Sequence, residues 1–373
     1  MPKRRQASGC LRVRLALAAL LVGASSARPQ TPVLLQGIVD AEGWATDTNS
    51  TFLVRNAGKP AGLGRLLLWG AAEPLRNVVL HATGDAEFGA ASNALDDAKL
   101  EQAGLRYTRS RRFVFDIGKF PHVVGTFAPR RFSTRNPLIG SPDAYPVQYP
   151  NGAKLSGAAR FVDYRIAWVD LPVAHPGYTP EPDRAWRPAF GLGVTPFVGV
   201  RLGVSGTMGP YLNKDLTGAQ LSQRDWHSYK QRIAAADLSV SAGYFELSAE
   251  AADASFEVPN RAEKLDGVAY YVEGKYTPTA RLFLATRLER NDYPFIMAFP
   301  GFWVARKTDF HDEEVGFGFR VTAATLLKGS YRRDRWHVNA GNQAFVKPGG
   351  HAVGVQLSRA FDVMDWIERE RLK

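Results

Sequence analysis

The sequence predicts an all-β protein, a transmembrane antiparallel up-and-down β-barrel of about sixteen strands. Three observations support this prediction: an export-type N-terminus, segments in which apolar and polar residues alternate, and connections that are alternately short and long. The N-terminus is basic, then apolar over residues 15–22, and then rich in small residues up to Ala27. We therefore expect residues 1–27 to be a signal peptide. A membrane anchor is less favoured because a spanning helix needs about 20 apolar residues.

Cysteine and charge narrow the function classes. The single cysteine, Cys10, lies in the expected signal peptide, so the mature chain has neither disulfides nor thiol chemistry. Removal of the leader takes away five of the 47 basic residues and none of the 36 acidic ones, and the net charge falls from +11 to +6. This modest excess gives no reason to expect nucleic acid as a partner.

Period-two alternation identifies the strands. In one segment Val268, Tyr270 and Val272 alternate with Ala269 and Tyr271. No stretch after the leader is apolar for the 18 or so residues of a membrane-spanning helix. We predict strands near residues 34–46, 64–73, 77–87, 101–109, 112–121, 152–160, 163–173, 187–195, 198–208, 232–241, 244–256, 266–276, 281–290, 313–321, 325–336 and 351–361.

The connections between these segments alternate in length. Outer-membrane barrels have short periplasmic turns, long outer loops and an even number of strands, whereas a soluble β-sandwich gives no reason for the alternation. Aromatic residues such as Phe245 and Trp168 fall near the strand ends, as two interfacial belts would require, although core aromatics would be the ordinary alternative. The short connections lie near 74–76, 109–111, 161–162, 196–197, 242–243, 277–280 and 322–324, and the long ones near 47–63, 88–100, 122–151, 174–186, 209–231, 257–265, 291–312 and 337–350.

The predicted organisation is therefore a signal peptide at 1–27, a transmembrane β-barrel at 28–363 and a periplasmic C-terminal tail at 364–373. No soluble domain is expected. The seven short and eight long connections place both ends of the mature chain on the periplasmic side.

Residues 33–363 resemble bacterial outer-membrane porins in architecture, in particular the phosphate-selective and related sixteen-stranded porins, although no short diagnostic motif anchors the likeness. The resemblance implies an integral protein of a Gram-negative outer membrane, surrounded by lipid and lipopolysaccharide and inserted by the barrel-assembly machinery. It also implies a candidate homotrimer and a third outer loop folded into the pore. The longest connection, 120–151, is the third long one. The chain departs from many such barrels because twelve residues follow the terminal aromatic Phe361.

Charged residues in the strands are assigned to the lumen. An Arg or Lys at the lipid midplane costs about 2–4 kcal/mol, and a sixteen-stranded barrel encloses a water-filled channel. By alternation the lumen-facing residues are Arg106, Asp116, Lys154, Arg160, Arg165, Arg201, Glu273, Lys275, Arg287, Glu289, Arg320, Lys328 and Arg332, together with Asp40, Glu42, His81, Asp85, Asp237, Glu246, Glu250 and Asp334.

The third long loop carries the candidate pore constriction. Arg130, Arg131 and Arg135 lie close together, with Asp143 as the nearby acid. If the loop lines the lumen, three guanidinium groups would favour anions, because charged rings at a narrowing set ion preference. The equally weighted alternative is a solvated outer loop whose arginines contact lipopolysaccharide or nothing.

The function predicted from these features is a channel for diffusion of small hydrophilic solutes, with anion preference as an additional hypothesis. No enzymatic activity, cofactor or metal is expected. The acidic residues of 309–314 match no calcium-loop pattern, and no HExxH or GxSxG motif occurs. Two alternatives stay open. One is a barrel enzyme acting on lipid or surface substrates through a histidine such as His81, and the other is a plugged structural or adhesin-like barrel.

Overall fold

The computed structural model describes residues 33–47, 60–89, 96–142, 148–173, 183–213, 224–259, 262–292, 294–299, 302–338 and 349–364. Seventeen strands occupy most of these residues. Strands β1 to β17 span Val33–Thr46, Ala61–Leu75, Val78–Gly89, Asp96–Ser110, Phe113–Lys119, Asn151–Ala159, Val162–Val169, Arg187–Phe197, Val200–Pro210, Lys230–Ala242, Phe245–Phe256, Leu265–Tyr276, Leu282–Asp292, Pro294–Phe299, Phe302–Arg320, Thr325–Val338 and Gly349–Asp362.

The sheet closes on itself. Asp40 of β1 is opposite Arg65 of β2 on one side and opposite Ser358 of β17 on the other, and all pairings are antiparallel. Strand β14 pairs with β15 alone, while β13 pairs directly with β15, so the wall bypasses β14. Sixteen strands therefore form the wall, and the predicted sixteen-stranded antiparallel barrel is confirmed.

One predicted connection is wrong in part. Residues 291–312 were expected to form a long loop, but 294–299 pair with 302–307 in a hairpin that extends β15, and 308–312 of β15 already pair with the neighbouring wall strand β16. In the sequence, two apolar runs flank Pro300 and Gly301 without alternating. Beyond the level of the lipid a hairpin no longer separates a lipid face from a lumen face, so the period-two signal used to find strands is missing there.

Burial along the strands is inverted relative to a water-soluble protein. On β9, Leu202 and Val204 are about half exposed at 46% and 51%, whereas Ser205 and Thr207 are buried. The same alternation buries charged residues such as Arg287 inside the barrel. An apolar exterior around a polar interior is stable in lipid, where it avoids the cost of a charge facing hydrocarbon.

The short turns use residues that tolerate a left-handed backbone. Gly199 has φ of 88° and Gly243 has φ of 58°, while Asn77 adopts φ of 68°. Arg160, predicted to line the lumen, instead lies in the turn between β6 and β7, with φ of 53° and its guanidinium 4.7 Å from the centre of the Phe161 ring. The strand assigned to 152–160 ends at Ala159, which removes Arg160 from the wall.

No helix within the described ranges is long and apolar enough to cross a membrane. The predicted signal peptide and residues 365–373 of the predicted tail lie outside the described residues.

We expect the purified protein to migrate faster on an SDS gel when unheated than after boiling. A closed ladder of backbone hydrogen bonds has no free edge at which detergent can begin to unravel the sheet. Gel mobility before and after heating is the measurement. Identical mobility at both temperatures would contradict a closed barrel, and a boiled sample of the same preparation is the control.

Candidate functional site

The third long loop, called L3 and described over residues 120–142 and 148–150, folds against the interior of the wall. The backbone N–H of Gly125 donates to Ser205 Oγ at 3.0 Å, and Arg165 Nη1 donates to the Gly125 carbonyl at 3.1 Å. Thr126 donates to the buried Glu250 through its backbone N–H at 3.0 Å and through Oγ1 at 2.7 Å. These partners lie on β7, β9 and β11, so L3 crosses several strands from its origin after β5.

A second anchor holds L3 against the wall strands that follow β11, from β12 to β16. Arg287 on β13 forms ion pairs with Glu273 at 2.8 Å and with Glu314 at 3.4 Å. It also donates from Nη1 to the Gly140 carbonyl at 2.8 Å and from Nη2 to Asn136 Oδ1 at 3.1 Å. The Arg287 side chain is 1% exposed. Its hydrogen bonds to the loop and its ion pairs with two carboxylates therefore take the place of the water that would hydrate an exposed guanidinium group.

Lys328 completes this anchor from β16. Its ammonium donates to the carbonyls of Asn136 at 3.2 Å and Leu138 at 2.9 Å. Lys328, which is predicted to face the lumen, is covered there by the loop backbone and is 1% exposed.

Two of the three candidate constriction arginines are engaged in ion pairs. Arg130 pairs with Glu273 on β12. Arg131 pairs with Glu101 on β4 and lies 3.6 Å from Asp85 on β3, and its guanidinium lies 5.0 Å from the centre of the Tyr149 ring. Because Arg130 and Arg131 reach opposite sides of the barrel from adjacent positions, they fix L3 across the lumen.

Arg135 has a different environment. It is exposed and lines a cavity of about 630 Å³ together with Arg106 and Arg320. Residues 322–325 around the β15–β16 turn, with 69–71 of β2 and 81–83 of β3, also line this cavity, which places it toward the short-turn end of the barrel. We call it the vestibule cavity; its described lining residues are Gln36, Ile38, Trp69, Gly70, Ala71, His81, Ala82, Thr83, Gln102, Arg106, Phe132, Thr134, Arg135, Arg320, Thr322, Ala323, Ala324, Thr325, Leu326 and Ala360.

The arginines of the vestibule cavity are not balanced by acidic residues in its described lining. No carboxylate occurs among its described lining residues. Arg106 is paired with Asp116 at 2.7 Å, yet 48% of its side chain remains exposed. For Arg135 and Arg320, the described part of the chain contains no acidic side chain within ion-pair distance. The cavity therefore carries a positive potential toward water.

The remaining charged residues of the wall pair mainly with near neighbours. Arg201 forms an ion pair with Asp163 at 2.8 Å and another with Asp237. The side chain of Arg201 passes over Gly193, where a Cβ atom would collide with it. Other pairs of this kind are Arg65–Asp85 at 2.7 Å, Lys154–Asp116 at 3.3 Å, Lys275–Glu246 at 2.7 Å, Arg332–Asp312 at 2.8 Å and Arg332–Glu289 at 3.8 Å.

These pairs run along the wall, or from the wall to L3. A plug built from side chains would require ion pairs between opposite strands, and Arg130 and Arg131 of L3 make such a connection. The pairs make the wall rigid and still leave Arg106 and Lys99 about half exposed.

The acidic segment before residue 315 does not form a metal site in the described structure. Asp312 and Glu314 point into the barrel toward Arg332 and Arg287, whereas Glu313 lies on the outer face, 3.2 Å from Arg335. Within the described ranges no three His, Cys, Asp or Glu side chains converge as metal ligands would.

The vestibule cavity also does not assemble the groups needed for hydrolysis. His81 is its one described histidine, and neither a serine nor a carboxylate lies beside it among the described lining residues. A nucleophile, a base and a group that orients the base must be within hydrogen-bond reach of one another. The described lining residues of the cavity do not show this arrangement.

Sequence reasoning missed His122, which lies buried where L3 begins. Its Nδ1 accepts a hydrogen bond from the Val124 N–H at 3.2 Å. Burial, followed by the nearby charge of Arg187, lowers the pKa of His122 to about 3. The imidazole of His122 is therefore neutral in the folded protein at neutral pH.

We expect acid to weaken the protein partly through His122. Between its unfolded pKa near 6.5 and its folded pKa of about 3, the unfolded chain binds a proton that the folded chain does not. Stability should therefore fall with decreasing pH across this window, by at most about 1.4 kcal/mol per pH unit from this group. Denaturant unfolding in detergent at several pH values is the measurement. His122→Asn, which keeps an acceptor for Val124, should flatten the profile, whereas the control His227→Asn should not. An unchanged slope in His122→Asn would refute this role.

The structural comparisons agree with this geometry. The anion-selective porin from Comamonas acidovorans matches with a TM-score of 0.61 and 10% identity, over 89% of this chain and 100% of its own. OmpF of Salmonella typhi, solved with daunomycin, matches with a TM-score of 0.59 and 10% identity over 88% and 97% of the two chains. The trimer form of the outer membrane protein OmpT of Vibrio cholerae matches with a TM-score of 0.57 and 12% identity over 89% and 99%.

No protein-family model and no curated protein matches the sequence. Identities of 10–12% show the fold alone. The closed sixteen-stranded antiparallel barrel has the architecture of an outer-membrane porin. The chain thus has the fold of an integral outer-membrane β-barrel.

Proposed function

We propose that this barrel is a porin-type, non-enzymatic channel through which small hydrophilic solutes diffuse, and that it prefers anions. The observation that carries the proposal is the vestibule cavity, where Arg106, Arg135 and Arg320 are exposed to water and no carboxylate occurs among the described lining residues. Guanidinium groups in a narrow water-filled space raise the local concentration of anions and repel cations.

The position of L3 supports the same function. The loop is held inside the barrel by Glu250, Arg287 and Lys328, so it narrows the lumen at a fixed place. Barrel diameter grows with strand number, and sixteen strands enclose more space than one inward loop needs. The fold is shared with an anion-selective porin, which makes anion preference compatible with this architecture.

Planar-bilayer recording of the purified protein tests this proposal. We expect discrete conductance steps. In a potassium chloride gradient, the reversal potential should have the same sign as the equilibrium potential of chloride. Conductance steps with a reversal potential of the same sign as the equilibrium potential of potassium would refute the anion preference. They would still support the channel function.

A folded barrel without conductance steps would favour the second candidate, a plugged structural or adhesin-like barrel. The observation in its favour is the dense ion pairing that leaves Arg287, Glu314 and Lys328 almost without exposure to water. Heat-modifiable mobility in the same preparation would show that the missing conductance does not come from misfolded protein.

We further propose that residues 1–27 direct export and are removed, that residues 364–373 form a periplasmic tail, and that three copies assemble in the lipid and lipopolysaccharide of the membrane after insertion by the barrel-assembly machinery. The trimer form of a protein with the same fold supports the assembly. N-terminal sequencing of the membrane-extracted protein should begin at Arg28, and chemical cross-linking should stop at trimers. An intact leader or cross-linking that stops at monomers would refute the corresponding part.

A further inference from the structure

The vestibule cavity has an apolar side that ion selectivity does not use. Trp69 of β2 and Phe132 of L3 line it, with ring centres 6.4 Å apart and an interplanar angle of 31°. Ile38 and Leu326 add aliphatic surface next to them. The arginines Arg106, Arg135 and Arg320 line the same space, so one cavity combines an aromatic surface with a cationic one.

Both aromatic side chains are held in place. Trp69 donates from Nε1 to Gln36 Oε1 at 3.2 Å, and Gln36 in turn donates to Asp362 at 2.9 Å. Phe132 carries the Arg131 guanidinium over its ring at 5.7 Å, and Arg131 is itself paired with Glu101. Groups fixed before binding lose little conformational entropy when a ligand arrives, so this surface is preorganised.

We propose that the vestibule cavity is a binding site for amphipathic organic acids. The aromatic or other apolar part of the solute packs against Trp69 and Phe132, while its carboxylate binds Arg135 and the neighbouring guanidinium groups. This inference rests on the proposed channel function and specifies the solute class. A cavity of about 630 Å³ is within the size range of small-molecule sites and easily holds one ring with a carboxylate.

The alternative occupant, a small inorganic anion, would use the arginines and leave the aromatic surface in contact with water. Apolar surface that a solute removes from water adds binding energy in proportion to its area. An aryl carboxylate should therefore bind more tightly than a carboxylate of the same charge without a ring. Guanidinium groups bind carboxylates through paired N–H donors, which accounts for the charged end.

The test compares benzoate, acetate and benzyl alcohol as blockers of the chloride current through single channels of the full-length mature protein. We expect the half-blocking concentration of benzoate to be at least about tenfold lower than that of acetate, which corresponds to about 1.4 kcal/mol. Benzyl alcohol, which has the ring without the charge, should block more weakly than benzoate.

Variants locate the effect. Trp69→Leu and Phe132→Leu should each raise the half-blocking concentration of benzoate at least about threefold relative to that of acetate, because the stacking surface is lost. The matched control is Phe283→Leu, which changes an inward-facing aromatic of the same barrel end that does not line the cavity. It should leave the benzoate-to-acetate ratio unchanged. Two aromatic variants are used so that failure of one to fold does not decide the outcome.

Equal block by benzoate and acetate would overturn the inference while leaving the anion-selective channel intact. An unchanged benzoate-to-acetate ratio in both aromatic variants, or equal block by benzyl alcohol and benzoate, would overturn it as well. If the protein shows no conductance, the proposed channel function fails, and saturation-transfer NMR with benzoate in detergent tests the cavity directly. Benzoate contact that is weakened by Trp69→Leu would then support the site, and contact that is absent or unaffected would refute it.

Discussion

Replacing both Arg135 and Arg320 with glutamate is expected to reverse the ion preference of the channel from anions to cations. The two residues are exposed and line the vestibule cavity with Arg106. The double substitution turns two of its three positive charges into negative ones, so the sign of the net charge changes. Two unit charges 4 Å apart interact by about 1 kcal/mol even at the dielectric constant of water, so several altered charges should change the permeability ratio by roughly tenfold or more.

The measurement is the reversal potential in a potassium chloride gradient, which should change sign between the parent protein and Arg135→Glu/Arg320→Glu. Arg112→Glu is the matched control, since Arg112 is an exposed arginine at the same short-turn end and does not line the cavity. The difference should shrink at about 1 M salt, where charges are screened within roughly 3 Å. If the double substitution does not change the reversal potential, the vestibule arginines do not determine the ion selectivity.

The candidate arginines of L3 should therefore not act alike. Arg135→Ala is expected to move the reversal potential toward zero. Arg130→Ala and Arg131→Ala should act mainly on the position of L3, because Arg130 is paired with Glu273 and Arg131 with Glu101. Shifts of equal size in all three single variants would show that the ion pairs do not neutralise Arg130 and Arg131.

Replacement of Arg287 by methionine is expected to produce the largest loss of stability. Arg287 lies between Glu273 and Glu314 and donates to Gly140 and Asn136 of L3, with 1% of its side chain exposed. Methionine fills similar volume but leaves Glu314 buried without its guanidinium partner. Breaking a buried ion pair by removing one partner costs about 3–5 kcal/mol.

Denaturant unfolding in detergent measures this loss, and single-channel recording should show added current noise because L3 loses one anchor. Arg287→Met/Glu314→Gln is the informative second variant. Neutralising the orphaned carboxylate should recover part of the stability, while the hydrogen bonds to L3 stay lost. A loss below about 1 kcal/mol in Arg287→Met would mean that water or another cation reaches Glu314, and that the site is not dry.

The strands could be predicted from the sequence because each is under the same local constraint. In β12, predicted at 266–276 and observed at Leu265–Tyr276, lipid requires Val268, Tyr270 and Val272 on one face, and the lumen allows Glu273 and Lys275 on the other. Alternation between two solvents of opposite polarity is visible within a few residues. It needs no knowledge of distant contacts.

Alternation is a weaker signal for a strand whose lumen-facing residues are covered by protein and not by water. In β2 the run from Leu66 to Trp69 hides the alternation, although the strand extends over Ala61–Leu75. Leu67 is 3% exposed, and Trp69 packs near Phe132 of L3. The inward residues here are apolar because a loop from elsewhere in the chain covers them, and no local pattern could reveal that.

The sequence by itself determined the barrel: its strand number, its inside-out polarity and the unusual length of L3 all follow from local alternation and spacing. Tertiary structure alone decided what L3 does with its charges. Arg130, Arg131 and Arg135 are equivalent in composition and nearly adjacent, yet two of them meet carboxylates from opposite walls and the third faces open water. The side chains that surround a guanidinium group in space decide whether its charge is neutralised by an ion pair or is left to interact with solutes. Glu101 is 30 residues from Arg131 and Glu273 is 143 residues from Arg130, so only the closed fold could assign the roles.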